Sequence, residues 1–260
     1  MRPFASTIPL EEARRRLSAA LRPIERSERV RLEEAAGRVA TREVRSPVDV
    51  PPFSRSAMDG YAVRAADTTG AGRQTPVRLR LVDRVFTGKP SSVNVPAGAC
   101  AEIATGAPVP GGADAVVMVE ETARDGESVI QVLVAAAPGQ HIGRRGGDIA
   151  AGGLVISAGD LLTPSRIGAI AAIGSPDVEV FARPRVAILS TGNEVVEPGQ
   201  MLAPGQIFDV NRFTLSAVVS AHGGAAEPRP PAQDSVDALV NALDACAGVD
   251  LIVFSGGSSV

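Results

Sequence analysis

"RVAILSTGNEVVEPG", residues 185–199, opens on an apolar run from Val186 to Leu189 and passes straight into a loop of small and hydroxylated residues. A strand that is apolar on both faces belongs inside a parallel sheet covered by helices, because a strand with one wet face alternates. "VDLIVFSGGSSV", residues 249–260, repeats the same order: a buried central-type strand, then small residues. Between the two, Arg212–Ala221 reads as a helix stopped by Gly223 and Gly224. Ser235–Ala247 reads as a second helix, with Asp234 or Ser235 as its cap. Strand, helix, strand, helix, strand is the order of a parallel sheet with helical crossovers. Ligands of such sheets bind beyond the carboxyl ends of the strands, which is where "STGNE" and "SGGSSV" lie.

Upstream the texture differs. "DVEVFARP" reads as a strand, and Thr163-Pro164 as the cap and first residue of the helix "SRIGAIAAIG", with Gly174 at its end. A glycine-dense stretch, "GQHIGRRGGDIAAGGLVISAGDLLTP", precedes that helix. From about Ala65 to Ala137, "VRLRLVDRVF", "CAEIATG", "DAVVMVEE" and "SVIQVLVA" are short runs rich in β-branched residues, broken by turn signals at Gly111-Gly112 and Asp125-Gly126. They predict a small all-β domain, barrel or sandwich, reached through the extended segment "REVRSPVDVPPF". Near the N-terminus, Ser6 and Thr7 can cap a helix that starts near Pro9 and ends before Pro23, with Leu10, Ala13, Leu17 and Leu21 on one face. A second short helix is expected through Glu33 to Gly37.

Composition narrows the function. The net charge of -3 argues against broad electrostatic binding to nucleic acid, and 3% aromatic residues with no Trp leaves few stacking platforms. No apolar run approaches the ~20 residues that span a bilayer, and "MRPFASTIPLEEARRRL" lacks the apolar core of a signal peptide. The expected setting is therefore a reducing cytoplasm. Cys100 and Cys246 read as buried free thiols, with no zinc-ligand spacing around them. His141 and His222, the only histidines, read as structural, and no Ser-His-Asp or Cys-His set can be written. Chemistry must then rest on carboxylates, a metal and oriented N–H groups.

Several loops could carry it. In "PPFSRSAMDGYAV", residues 51–63, Asp59 is either a carboxylate for Mg²⁺ or a polar ligand, or simply the acid of an Asp-Gly turn; from spacing alone the turn is the better account. "ATGAPVPGGAD" offers Thr105 and Gly106 to an anion, or is a braced β-turn. "GRRGGD" combines Arg144, Arg145 and Asp148 with glycines that admit a ligand, or is a solvated basic turn. Ser190, Thr191 and Glu194 follow one strand of the parallel sheet, and Ser255, Gly256, Gly257, Ser258 and Ser259 follow another. Position and composition agree there on a cradle for a phosphate-bearing ligand. Neither GxGxxG nor a P-loop lysine is present, so dinucleotide or Walker-type binding is not indicated.

Together these loops resemble the molybdopterin molybdenumtransferase (MoeA) family, which includes the C-terminal region of gephyrin. "PPFSRSAMDGYAV", "ATGAPVPGGADAVVMVEE", "IGRRGGDIAAG", "LSTGNEV", "GQIFDVNR" and "SGGSSV" follow in the family's order over nearly the whole chain. The resemblance implies a multi-domain α/β plus β fold. A discontinuous linker domain (1–50 and 150–183) carries an inserted β domain (51–149), and an α/β domain (184–260) similar to the molybdopterin adenylyltransferases follows. It implies insertion of molybdate into adenylylated molybdopterin with Mg²⁺ and release of AMP, by a homodimer whose site lies between the β domain of one subunit and the α/β domain of the other. A molybdopterin adenylyltransferase is the implied protein partner.

By position, the resemblance makes Asp59, Asp148 and Glu194 the catalytic acids, with Asp59 and Glu194 as metal ligands. Thr105, Arg144, Arg145, Ser190, Thr191, Asp234 and Ser255 to Ser259 would bind substrate, although "PPAQDS" departs from the family's pattern around Asp234. Gly147 stands where an acid is common, and Asn193 where Asp is frequent. The lysine- and proline-rich loop, the Pro-Gly-Asn-Pro segment and the terminal barrel of the family are not in these 260 residues, so a C-terminally truncated and inactive chain is expected. Two other functions compete: a non-catalytic molybdopterin-binding or scaffold module, and an adenylyltransferase-like activity.

Overall fold

The computed structural model describes residues 7–256. Helix α1 (Leu10–Ala20) carries Glu11 and Glu12 in its first turn, at the positive end of the helix dipole. Pro9, in extended conformation, stands at its N-cap without a side-chain hydrogen bond, so Thr7 does not cap it, and Ser6 lies outside the described residues. None of its residues is buried. Strand β1 (Ser27–Arg31) leads into a single 3-10 turn, Leu32–Glu34. The expected helix stops short there because Gly37, at φ +73°, turns its N–H onto the Leu162 carbonyl at 3.0 Å. There follow β2 (Val44–Arg45), β3 (Arg55–Ser56), β4 (Gly60–Val63), β5 (Val77–Val85), β6 (Ala99–Ile103), β7 (Ala115–Met118), β8 (Thr122–Arg124), β9 (Val129–Val132), β10 (Ile142–Gly143) and β11 (Leu154–Ile156). Helix α2 (Pro164–Ala172) starts on its proline, and β12 (Asp177–Phe181) and β13 (Arg185–Ser190) follow. The chain continues through β14 (Val195–Val196), β15 (Ile207–Phe208), α3 (Asn211–Ala221), β16 (Ala225–Pro228), α4 (Val236–Asp244) and β17 (Leu251–Ser255). Ser235, not Asp234, caps α4: its hydroxyl accepts the Ala238 N–H at 3.3 Å.

Two compact units result. One comprises Glu43–Ser157 and Ser165–Pro176; the other comprises the chain up to Arg42, Ala158–Pro164 and everything from Asp177. The first, the β unit, holds a six-stranded mixed sheet in the order β7-β4-β6-β5-β9-β8. Only β5 and β6 run parallel in it. Two further strand pairs, β3 with β10 and β2 with β11, belong to the same unit. Both faces of the six-stranded sheet are covered, because successive side chains of a strand point to opposite sides. Tyr61, Val63, Cys100 and Val117 pack in one cluster, and Ala62, Ala101, Ile103 and Val116 in another. Double burial explains why these strands read as apolar runs. It also pushes the Cys100 thiol up to about 12, so this cysteine is an inert core residue.

The second, the α/β unit, contains the parallel sheet β16-β13-β17. β13 is central and buried from Val186 to Ser190. β17, expected to be a buried central-type strand, pairs on one side only among the described residues, and Leu251 and Phe254 stay 45% and 49% exposed. An apolar sequence run reports hydrophobicity, not whether a second neighbour is hydrogen-bonded beside it. Further back, β1 pairs with β12 antiparallel, and the buried Arg38 guanidinium pairs with Glu28 and donates to the Phe181 carbonyl at 2.8 Å.

Asp250 ties the start of β17 to its surroundings. It takes a two-pronged bond from Arg26 (2.7 and 2.8 Å) and a third from the Arg185 N–H (2.7 Å). The Arg26 guanidinium, then the Arg185 N–H, hold its carboxyl well below the usual carboxylate range. A depressed folded-state pKa stabilises at pH above the unfolded value, about 3.9, and that contribution disappears as pH falls through the folded value. Asp250→Asn is accordingly expected to lower the unfolding temperature of the α/β unit at pH 7. The gap to the parent should close as pH drops below about 4. Thermal unfolding followed across that range checks it, and a gap independent of pH would rule the ion pair out as the cause.

Candidate functional site

In the β unit, three loops that are far apart in sequence meet on the two-residue strand β3. β10 pairs with it in antiparallel register, Ile142 opposite Ser56 and Gly143 opposite Arg55. The 104–108 loop closes on it from elsewhere: Gly106 N–H donates to the Ser56 carbonyl (2.8 Å) and Ser56 N–H to the Ala107 carbonyl (2.9 Å). Gly106 adopts φ +81°, the left-handed region that glycine enters without strain. Asp59, in the turn between β3 and β4, is thereby set against this loop, and its Oδ1 accepts the Thr105 N–H at 2.7 Å. The Thr105 N–H, then the Thr105 side chain, hold the Asp59 carboxyl below its ordinary value. It is exposed, so it presents a full negative charge to solvent at the mouth of a hollow of about 240 Å³ that Tyr61, Phe86 and Glu102 also line. Glu102 is already paired with Arg84 (3.1 Å) and Arg124 (2.7 Å), which leaves Asp59 as the unpaired carboxylate there.

The "GRRGGD" loop enters from β10. Arg55 on β3 reaches Asp148 at 3.7 Å. Arg145 donates its Nε to Asp49 at 2.7 Å; Arg144 has no such partner among the described residues. Asp49 also accepts the Ala151 N–H at 2.9 Å, and this bond, followed by Arg145, depresses its carboxyl pKa. Asp49 thus braces both ends of the loop that carries Asp148. Sequence reasoning passed over it, because its partners lie about a hundred residues away. Asp49→Ala is expected to speed amide exchange at Ala151 and in the 144–148 loop by at least tenfold (about 1.4 kcal/mol of local opening, the size of a charged hydrogen bond). Unchanged exchange would show that the loop holds its shape without Asp49.

In the α/β unit, Ser190, Thr191, Glu194, Asp209, Asn211, Ser255 and Gly256 line a cavity of about 310 Å³ beyond the ends of β13 and β17. Thr191 N–H donates to the Ser255 carbonyl (2.8 Å), and Asn211 Nδ2 donates to Ser255 Oγ (2.6 Å). A Cβ on Gly256 would lie 2.2 Å from Thr191 Oγ1, so a larger residue there would displace the Thr191 hydroxyl. Glu194 folds over Gly192. Asp234 does not line the cavity; its N–H is held by the Asn193 side chain at 3.0 Å, beside the loop that carries Glu194. Gly257, Ser258 and Ser259 lie outside the described residues. Asp209 and Asn211, which sequence reasoning left unassigned, carried one signal: an acid just before a helix. His141 and His222 turn Nδ1 to the Val116 and Val218 carbonyls at 3.0 and 2.9 Å, which is a structural use.

Matching to protein families gives two regions. Residues 8–174 match "MoeA N-terminal region (domain I and II)", and residues 187–260 match "Probable molybdopterin binding domain". The chain belongs to the MoeA family. Among the relatives of this MoeA chain, molybdopterin molybdenumtransferase 2 of Mycobacterium tuberculosis is 42% identical over 231 residues, which is 88% of this chain and 57% of that protein. The molybdopterin molybdenumtransferase of Haemophilus influenzae is 34% identical over 254 residues, 97% of this chain and 62% of that protein. The family is therefore one of enzymes, and the MoeA chain spans about three fifths of the length of these relatives. A crystal structure of the molybdopterin biosynthesis MoeA protein of Pyrococcus horikoshii superposes with a TM-score of 0.83 at 37% identity, covering 97% of this chain and 64% of that one. The fold is thus an α/β MoeA-like one. The Asp59–Thr105 contact and the cavity at the β13 and β17 ends are two features of this MoeA chain, one in each unit. Among the described residues, no group of three or more His, Cys, Asp or Glu side chains is placed to hold a metal ion.

Proposed function

We propose that this chain acts in molybdenum cofactor biosynthesis as a molybdopterin molybdenumtransferase, inserting molybdate into adenylylated molybdopterin with release of AMP. The observation that carries the proposal is the convergence of three loops on β3, which sets an ionised, exposed Asp59 on the Thr105 N–H. We assign 51–149 to a β domain inserted in a linker domain (1–50 and 150–183) and 184–260 to a molybdopterin-binding domain; the gap between the two family matches supports the last boundary. In a cytoplasmic homodimer, the β domain of one subunit would face the α/β domain of the other.

The residues fit a Mg²⁺ that is held mainly by substrate and water. Mg²⁺ is commonly bound through one or two carboxylates plus phosphate oxygens, and Asp59 and Glu194 would each supply one. When bound, Mg²⁺ would neutralise charge on the phosphate at which the adenylyl link is cleaved. Asp59 would stay ionised throughout, and Thr105 would fix its direction. Arg144 would draw in the oxyanion, and Asp148 would be kept in place by Arg55. Ser190, Thr191, Ser255 and the residues to Ser259 would hold the molybdopterin end, with Asp234 at the edge.

The test is calorimetric binding of adenylylated molybdopterin to this chain, together with AMP release on adding molybdate and Mg²⁺. Binding is expected of this chain, and Mg²⁺-dependent AMP release of a full-length MoeA protein that carries the same residues. Binding without release by the full-length protein under all conditions points instead to a molybdopterin-binding module, and AMP transfer onto free molybdopterin from ATP to an adenylyltransferase. No binding at all overturns the proposal.

A further inference from the structure

At the opposite end of the parallel sheet, where β13 and β16 begin, the α/β unit holds a cavity of about 530 Å³. Pro184 brings β13 to it, and His222 and Gly223 close the side from which β16 starts. Arg38 lines it and is only 8% exposed. Its guanidinium uses one nitrogen: Nη2 pairs with Glu28 and donates to the Phe181 carbonyl at 2.8 Å. Nε and Nη1 donate to no group among the described residues, and both keep contact with open space. Buried N–H donors are almost always paired, and each exception calls for a reason. Arg183, a second guanidinium in the lining, is exposed and bonds no described side chain.

We infer that this cavity binds a small organic monocarboxylate with an apolar body, and that Arg38 and Arg183 take its carboxylate. The inference is independent of the molybdopterin reading, whose residues lie beyond the other ends of these strands. Hydrogen bonds from a guanidinium to a carboxylate are charge-assisted and stronger than neutral ones, and the idle N–H groups of Arg38 are already desolvated. Ile24, Val39 and Phe181 give the cavity an apolar wall, the usual company of a few convergent polar groups in a small-molecule site, and the volume falls in the range of such sites. The charge balance selects a single negative charge. Glu28 sits on Arg38 and Glu25 stands in the lining, so the two arginines are not in excess. A doubly charged phosphate would bring one charge that no cation meets, whereas one carboxylate needs the donors more than net charge.

The probe is 3-phenylpropionate, titrated against the full chain while the backbone amides of Gly37, Arg38, Ala182 and Gly223 are followed by NMR. In parallel run 3-phenylpropanol, which has the same body without the charge, and inorganic phosphate. Saturable shifts at these amides are expected with the acid, at least tenfold weaker binding with the alcohol, and no displacement by phosphate. Arg183→Gln should weaken binding of the acid at least tenfold and leave the amide spectrum elsewhere unchanged, since Arg183 holds no described partner. The comparison of acid with alcohol needs no variant. An alcohol that binds as tightly as the acid overturns the carboxylate as the recognised group, and parent affinity in Arg183→Gln overturns the role of that arginine. Displacement by phosphate overturns the choice of a single charge. An acid that leaves all four amides unmoved at millimolar concentration overturns the site.

Discussion

Gly60→Ala is expected to unfold the β unit rather than merely weaken it. Gly60 begins β4, which lies between β6 and β7 and faces Ile103 on one side and Met118 on the other. A Cβ on Gly60 would lie 1.9 Å from the Val117 carbonyl oxygen, 2.9 Å from its carbon and 3.0 Å from the Met118 Cα. All three are backbone atoms of a neighbouring strand, so no side-chain rotamer relieves the clash. The β4–β7 ladder must separate, and with it the packing of Tyr61 against Val117 in one core cluster. Ordinary overpacking costs about 1–3 kcal/mol. Displacing a ladder strand belongs to the exceptional class above about 4 kcal/mol, a large part of a domain's ~5–15 kcal/mol. Gly168→Ala in α2 is the contrast: a Cβ there meets nothing within 4 Å, and alanine in a helix gains up to about 1 kcal/mol over glycine. Denaturant unfolding of both variants should give shifts of opposite sign. A Gly60→Ala chain that unfolds within a few degrees of the parent would refute the close-packing account of this glycine.

That glycine shows how far sequence reasoning reached. Asp59-Gly60 reads as a turn, but only Asp59 lies in the bend; Gly60 already belongs to β4, and the reason for the glycine is the approach of another strand 57 residues away (Val117 less Gly60), which no local pattern contains. "RVAIL" and "VDLIVF" read alike, and both are parallel strands; one is buried and the other lies at an edge because pairing, unlike hydropathy, is not a property of the strand itself. The β runs were legible as strands because β-branched residues cluster in them, while the parallel step between β5 and β6 was not. At the site, family order placed Asp59 near Thr105, and the structure adds the bond between them. Asp49 and Asp209 stayed hidden for one physical reason: each acts through partners brought in by tertiary folding, Arg145 and Ala151 for the first and Ser190 for the second.

In a full-length MoeA protein carrying these residues, Asp59→Asn is expected to lower kcat/KM for AMP release on the order of 100-fold, about 2.7 kcal/mol of transition-state stabilisation, while leaving the fold intact. The two effects separate because the asparagine carbonyl can still accept the Thr105 N–H that orients this turn, whereas the charge is gone. A pre-organised charge acts on the reacting group without reorganising during the reaction, which is why removing it costs rate more than it costs stability. The pH dependence follows from the same bond. Thr105 depresses the Asp59 pKa, so its carboxylate is present at neutral pH and is protonated only as pH falls through a value below the usual ~3.9. Asp59 should therefore contribute no acid limb to kcat/KM between pH 5 and 8, and the parent and Asp59→Asn profiles should run parallel there, offset by the full factor. Steady-state AMP release at saturating Mg²⁺, read beside the thermal unfolding of both proteins, measures the pair of effects. A variant within threefold of the parent would remove Asp59 from the chemistry. An offset that shrinks steadily from pH 8 to pH 5 would show instead that the carboxyl titrates in the neutral range and that Thr105 does not hold it ionised.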